Sequence, residues 1–323
     1  MSSSLSSSSS SSLSSSAPPP PPVEQPTASA EDSLYAADEA KLTALREAKP
    51  WTQDPKYMKK VRIGPSAAMK MLQHTYSGVE RGIKAGGKPI EVMGLLFGRP
   101  NTEEENAFVV TDAFPLPIEG FETRVIADDM DVQNYMISLQ ETLEELYGLK
   151  ERFMGWYHSH PFDVNEQWSH CYLSNTDLST QLAWQRSEDP HGNPWLAIVV
   201  DPLRSLAKNH PEFAAFRAYP PEYAPPANET PDGKLVDEES KRVEQWGACW
   251  NRYYKLDVEY FMSTQAKAVI GILSKQVSGP RFSYRSVPPP FFFLSPLPSS
   301  LLRESANAHA IPLSRLLVAV HLD

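Results

Sequence analysis

The run Phe153-Met-Gly-Trp-Tyr-His158-Ser-His160-Pro161 leaves this chain few folds to choose from. From Phe153 to His158 it is short, apolar and aromatic, so it reads as a β-strand, and histidines two residues apart on a strand project from one face. Downstream, Ser174-Asn-Thr-Asp177 offers a carboxylate. If the three are to share a metal ion, the fold must bring Asp177 to the face that carries His158 and His160.

Two imidazoles and one carboxylate suit a single Zn²⁺, and a site with only three protein ligands keeps a position open for water. Water at such an ion has its pKa lowered towards neutrality, to roughly 7 in well-studied zinc hydrolases. Hydrolysis is therefore the first expectation. It requires an acidic side chain to accept a proton and hand it to the leaving amine, and Glu91, opening the apolar run Glu91 to Phe97, is the candidate. Ser174, one helical turn before Asp177, is placed to donate its hydroxyl to an oxyanion.

Each residue alone has a plainer reading. His-x-His on a strand is common by chance, Glu91 reads as a surface residue at a strand end, and Ser174 as a helix N-cap. Their conjunction with Pro161 and Ser-x-x-Asp is what carries the signal. His170 is a rival ligand because it lies between His160 and Asp177, and Cys171 is another, although a buried cysteine usually behaves as a small hydrophobe. His74, His191, His210, His309 and His321 have no neighbouring ligand pattern. The His-Glu-x-x-His helix, the His-x-Glu with Pro-Cys-x-x-Cys of deaminases, the Gly-x-Ser-x-Gly elbow and the phosphate-cradling Gly-x-x-x-x-Gly-Lys loop are all absent.

Composition narrows the class further. A formal charge of −10 over 323 residues argues against a nucleic-acid footprint. Cys171 and Cys249 are too few and too far apart for a disulfide framework, so a reducing compartment fits. No stretch of about 18 apolar residues is present to span a membrane. Residues 1–30, rich in Ser and Pro, cannot offset their ordering entropy by burial and read as disordered. Residues 31–62 read as a charged, partly helical extension that ends near Ala48-Lys-Pro-Trp51.

Residues 63–223 read as one α/β domain with a mixed, mainly antiparallel sheet flanked by helices. Its predicted elements are a helix from Gly64-Pro65 that Gly78 should stop, strands over Glu91–Phe97 and Ala107–Phe114, and a helix over Asp131–Tyr147. The histidine strand follows, then a helix over Asp177–Gln185 and strands over Trp195–Val200 and Phe213–Tyr219. Residues 224–240 read as a linker. Over 241–277, Val243, Trp246, Trp250, Tyr253, Tyr260, Val269, Ile270 and Leu273 give a helical stripe that should dock on a partner. Residues 278–323 are rich in Pro and read as a divergent, disordered tail.

The glutamate, the His-x-His-Pro and the Ser-x-x-Asp together resemble the JAMM (MPN+) metalloprotease family. Ala48-Lys-Pro-Trp51, Glu91-Val-Met-Gly94, Leu116-Pro-Ile-Glu-Gly120, Glu122-Thr-Arg-Val125, Asp177-Leu-Ser-Thr-Gln181 and Ala215-Phe-Arg-Ala-Tyr-Pro220 are similar to its signalosome branch. The resemblance spans roughly residues 35 to 275. It implies an MPN domain and an isopeptidase that removes the ubiquitin-like modifier Nedd from cullins, in the cytoplasm and nucleus.

It further implies His158, His160 and Asp177 as zinc ligands, Glu91 as general base and Ser174 as the oxyanion-stabilising serine. Glu122 and Thr123 match an insertion loop that can occlude the zinc site in an isolated subunit. Other signalosome subunits, among them a second MPN subunit, are the implied partners, with neddylated cullins as substrate. The runner-up is a deubiquitinase of the proteasome-lid type, and a non-catalytic MPN scaffold comes after that. Between His160 and Asp177, Phe162 to His170 is longer than the family pattern by about six residues, a change that costs little closure entropy.

Overall fold

A computed structural model describes residues 29–116, 130–147, 151–164 and 167–277. The expectations for residues 1–28, for Glu122 and Thr123, and for the tail at 278–323 lie outside them.

After an N-terminal helix α1 (Glu39–Ala48), the elements run β1 (Lys60–Ile63), α2 (Pro65–Lys84), β2 (Met93–Pro100), β3 (Ala107–Pro115), α3 (Met130–Tyr147) and β4 (Arg152–Ser159). They continue through α4 (Asn175–Glu188), β5 (Leu196–Val200), α5 (Pro202–Lys208), β6 (Phe213–Ala218), α6 (Glu239–Trp246), β7 (Tyr253–Tyr260) and α7 (Thr264–Val277). The strands pair in the order β1-β3-β2-β4-β5-β6-β7, and β7 returns to β1 to close a barrel. β1/β3, β1/β7 and β4/β5 are parallel and the remaining pairs antiparallel, so the sheet is mixed as expected.

Both faces of the central strands are buried, which explains their continuous apolar runs. Strand alternation then sorts the side chains into two cores. Leu96, Tyr157, Ile198, Val200 and Ala215 join Ala68, Met71 and Leu72 of α2 on one face. Leu95, Phe97, Trp156, Ala197, Val199 and Phe216 join Leu178 of α4, Leu143 of α3 and Trp246 of α6 on the other. His158 has the parity of Trp156. It therefore faces α4.

Two expectations are corrected. Gly78 does not end α2, which continues to Lys84. It is a contact point: a Cβ there would lie 2.6 Å from the Ile90 carbonyl oxygen and 2.7 Å from Val92 Cγ1. Alanine at a helix interior gains about 1 kcal/mol over glycine, whereas overpacking against backbone costs about 1–3 kcal/mol. Gly78→Ala should therefore lower the urea-unfolding free energy, by roughly 1 kcal/mol net. A rise would mean that the segment leading into Glu91 yields freely.

The second correction concerns the helical stripe. Tyr253 to Tyr260 form β7, pairing with β6 and β1, so the sheet extends beyond residues 63–223. Tyr254, Leu256, Val258 and Tyr260 face the α2-side core, while Lys255, Asp257 and Glu259 alternate with them. That strict alternation is a strand signal. The tryptophans upstream masked it by falling at helical spacing. The expected linker is tied to this strand, since Lys255 N–H donates to the Pro231 carbonyl at 2.8 Å. No described helix is long and apolar enough to cross a membrane.

Candidate metal centre

Three local features converge on the α4 face. β4 delivers His158 opposite Met93 of β2. Beyond the strand end the two segments stay joined, with Ser159 N–H donating to the Val92 carbonyl and Val92 N–H to Ser159 Oγ, both at 3.0 Å. Continuing that register puts Glu91 opposite His160. By alternation Glu91 lies on the face of Met93 and the histidines.

The third feature is the start of α4. Ser174 is its N-cap, and Ser174 and Asp177 form a capping box, with Asp177 N–H donating to Ser174 Oγ at 3.2 Å and Ser174 N–H to Asp177 Oδ2 at 2.8 Å. The same Oδ2 lies 3.4 Å from His158 Nε2 and 3.5 Å from His160 Nε2, and the two nitrogens are 3.1 Å apart. A tetrahedral ion with bonds of about 2.0–2.1 Å has ligand-to-ligand edges of about 3.3 Å. The triangle has the dimensions of one tetrahedral face. His158, His160 and Asp177 are 1 %, 3 % and 3 % exposed, so an ion they hold is shielded on the protein side.

Hydrogen bonding supports ligation at Nε2. His160 Nδ1–H donates to the His170 carbonyl at 2.8 Å, which leaves the Nε2 lone pair free. Trp156 stacks on His158, with centroids 4.6 Å apart at 12°, and its indole N–H donates to Gln181 Oε1 of α4 at 2.8 Å. Phe162 stacks on His160 at 5.0 Å, and Tyr172 meets the same ring edge-on at 5.1 Å. His160 is thus held between two aromatic rings, and His158 lies against one.

Electrostatics separate the two carboxyl groups. For Asp177 burial favours the neutral acid, but the two imidazoles beside it outweigh burial and hold the carboxyl well below the usual range. For Glu91 burial pushes the pKa up; His160 opposes this and Asp177 adds to it. Asp177 is thereby held as an anion beside the imidazoles, while Glu91 keeps its proton to higher pH than an ordinary glutamate.

The structure thus gathers His158, His160 and Asp177 as the one group of metal-ligand type among the described residues, with Glu91 and Ser174 beside it. The longer loop does not separate them. His170 contributes its carbonyl rather than its ring, whose Nε2 bonds to the Asp163 carbonyl. Cys171 is a buried thiol pushed up to about 12 by burial, as a packed side chain should be. Sequence reasoning missed Trp156, Phe162 and Tyr172, whose rings pack on the two imidazoles. Only Trp156, two residues before His158 on the same face, was readable from strand parity.

The chain is similar to known proteins along most of its length. Residues 56–190 match the family described as JAB1/Mov34/MPN/PAD-1 ubiquitin protease. Over 244 residues the chain is 39% identical to COP9 signalosome complex subunit 5 of Emericella nidulans, covering 75% of this chain and 65% of that protein. It is 36% identical over 249 residues to subunit 5a of Arabidopsis thaliana, covering 77% and 62%. It is 38% identical over 232 residues to subunit 5 of Caenorhabditis elegans, covering 72% and 56%. The chain therefore spans less than two thirds of the length of these relatives.

Proposed function

Because residues 56–190 make this chain a member of the JAB1/Mov34/MPN/PAD-1 family, we propose that it is a zinc isopeptidase that removes Nedd from cullin lysines as the catalytic subunit of a COP9 signalosome. The observation that carries the chemistry is the His158, His160 and Asp177 triangle, whose edges of 3.1, 3.4 and 3.5 Å fit a tetrahedral ion. Bound there, Zn²⁺ supplies a Lewis acid that activates water and polarises the isopeptide carbonyl. The protein's own groups do the rest. Glu91 takes a proton and returns it to the departing lysine amine, work that suits a carboxyl whose pKa is raised. The complete donor set and the raised Glu91 count against a scaffold role.

Ser174 has two roles to separate. Its oxygen accepts the Asp177 N–H, and its own hydrogen remains available for a developing oxyanion. Glycine replaces serine at an N-cap for only a few tenths of a kcal/mol. Ser174→Gly should therefore leave unfolding nearly unchanged while lowering kcat by about 10²–10³-fold. Full activity in that variant would reduce Ser174 to a cap.

The proposed partners are other signalosome subunits, with α7 as one docking element because Val269 and Ile272 stand 43 % and 59 % exposed on it. The deciding experiment assembles the full chain with such subunits and compares cleavage of neddylated cullin with cleavage of ubiquitin chains. Faster release of Nedd is expected. Preference for ubiquitin chains would identify a deubiquitinase, and retained zinc without cleavage of either substrate a scaffold.

A further inference from the structure

We propose that Asp201 is a positioning residue for the metal ligand His160, acting through the backbone of His170; this rests on the zinc reading above. Asp201 follows β5 directly and is 1 % exposed. Its two carboxylate oxygens serve two different segments. Oδ1 accepts Arg204 N–H at 2.9 Å and caps α5, whereas Oδ2 accepts His170 N–H at 3.0 Å. The carbonyl of that same His170 receives His160 Nδ1–H at 2.8 Å.

The neighbouring residue completes the grip. The Val200 carbonyl accepts His160 N–H at 2.9 Å, so the end of β5 holds the main chain of His160 directly and its ring through Asp201 and His170. Arg204 Nη1 donates to the Trp168 carbonyl at 3.1 Å, a second tie between the first turn of α5 and the end of the loop. The position of the His170 carbonyl is thereby set from β5 and α5, not by the length of chain that precedes it. A loop about six residues longer than the family pattern can then be carried without turning the His160 ring.

A carboxylate suits this task because two N–H donors from separate segments converge on it, and each bond is charge-assisted. Serine retains the cap of α5 but is too short to serve both donors. Asparagine keeps the shape but offers one oxygen, so one donor faces an amide NH₂. Partners of this outer kind typically change metal affinity by about 10–100-fold.

The test uses the full chain with Zn²⁺ affinity measured by chelator competition and the Co²⁺ absorption spectrum as a report of ligand geometry. Asp201→Ser and Asp201→Asn are each expected to weaken zinc by about 10–100-fold and to alter the Co²⁺ bands, while the metal-free variants, though less stable because a buried donor loses its acceptor, still fold. The isosteric Asn variant keeps the test open should the Ser variant not fold. Wild-type affinity and an unchanged Co²⁺ spectrum in a folded Asp201 variant overturn the proposal. Asp177→Asn runs in parallel: if it too binds zinc like wild type, the metal reading itself fails and this inference with it. If it loses zinc while the Asp201 variants keep it, only this inference fails.

Discussion

Asp177→Asn is expected to reduce zinc content to background and isopeptide cleavage by on the order of 10³-fold or more, because losing a Lewis acid removes several kcal/mol of transition-state stabilisation. Oδ2 of Asp177 is one vertex of the ligand triangle and its only negative charge. An amide there is neutral: with its oxygen kept at the Oδ2 position, where it accepts the Ser174 N–H, it offers the metal no negative charge. The helix should survive. Asparagine still offers an oxygen to the Ser174 N–H, so the capping interaction at the start of α4 retains its acceptor. Circular dichroism at wild-type intensity together with zinc-free, inactive protein is the predicted outcome. Variant protein that holds one zinc and cleaves normally would remove the metal mechanism.

Glu91→Gln should keep zinc and lose roughly 10²–10⁴-fold in kcat, the usual contribution of a positioned general base. Its pH behaviour follows from burial. In the metal-free chain burial raises the folded pKa above its ordinary value, so the ionised form that accepts a proton is lost as pH falls through that raised pKa. The acid limb of kcat/KM in the wild type should report Glu91, at a pH set by this burial against the opposing charge of bound Zn²⁺, and be absent from the residual rate of the variant. A Gln variant with the same acid limb would show that another group is being titrated.

Stability should move the other way. With its pKa raised in the folded state, Glu91 binds more protons folded than unfolded between the two values, so its contribution to stability improves as pH falls through that window. Above it the ionised carboxylate is a net cost. Metal-free Glu91→Gln at neutral pH should thus be at least as stable as wild type in urea. A clear loss of stability would assign Glu91 to structure.

Much of the site was legible because its parts are local. His158 and His160 share a face through strand alternation, and the Ser174 to Asp177 spacing is that of a capping box, so both pairs are fixed by neighbours in the chain. What defeated local reading was overlap of periods. Trp246, Trp250 and Tyr253 fall at helical spacing, and the alternation from Tyr254 to Tyr260 begins inside that pattern. Gly78 misled for a related reason: glycine as a helix stop and glycine as a close contact look the same until Ile90 is seen against it.

By itself the sequence determined the donor types and the two short elements that present them. It also determined the continuous apolar runs of the central strands, which must be buried on both faces. Only the tertiary structure decided that the start of α4 comes to within 3.5 Å of His160 Nε2 across a lengthened loop. It also placed Asp201 where its carboxylate accepts the His170 N–H. The physical reason is the range of the forces involved. Propensity and alternation act over a few residues, whereas a metal site needs donors matched to tenths of an ångström, and that match arises only when β4, β5 and α4 pack on one another.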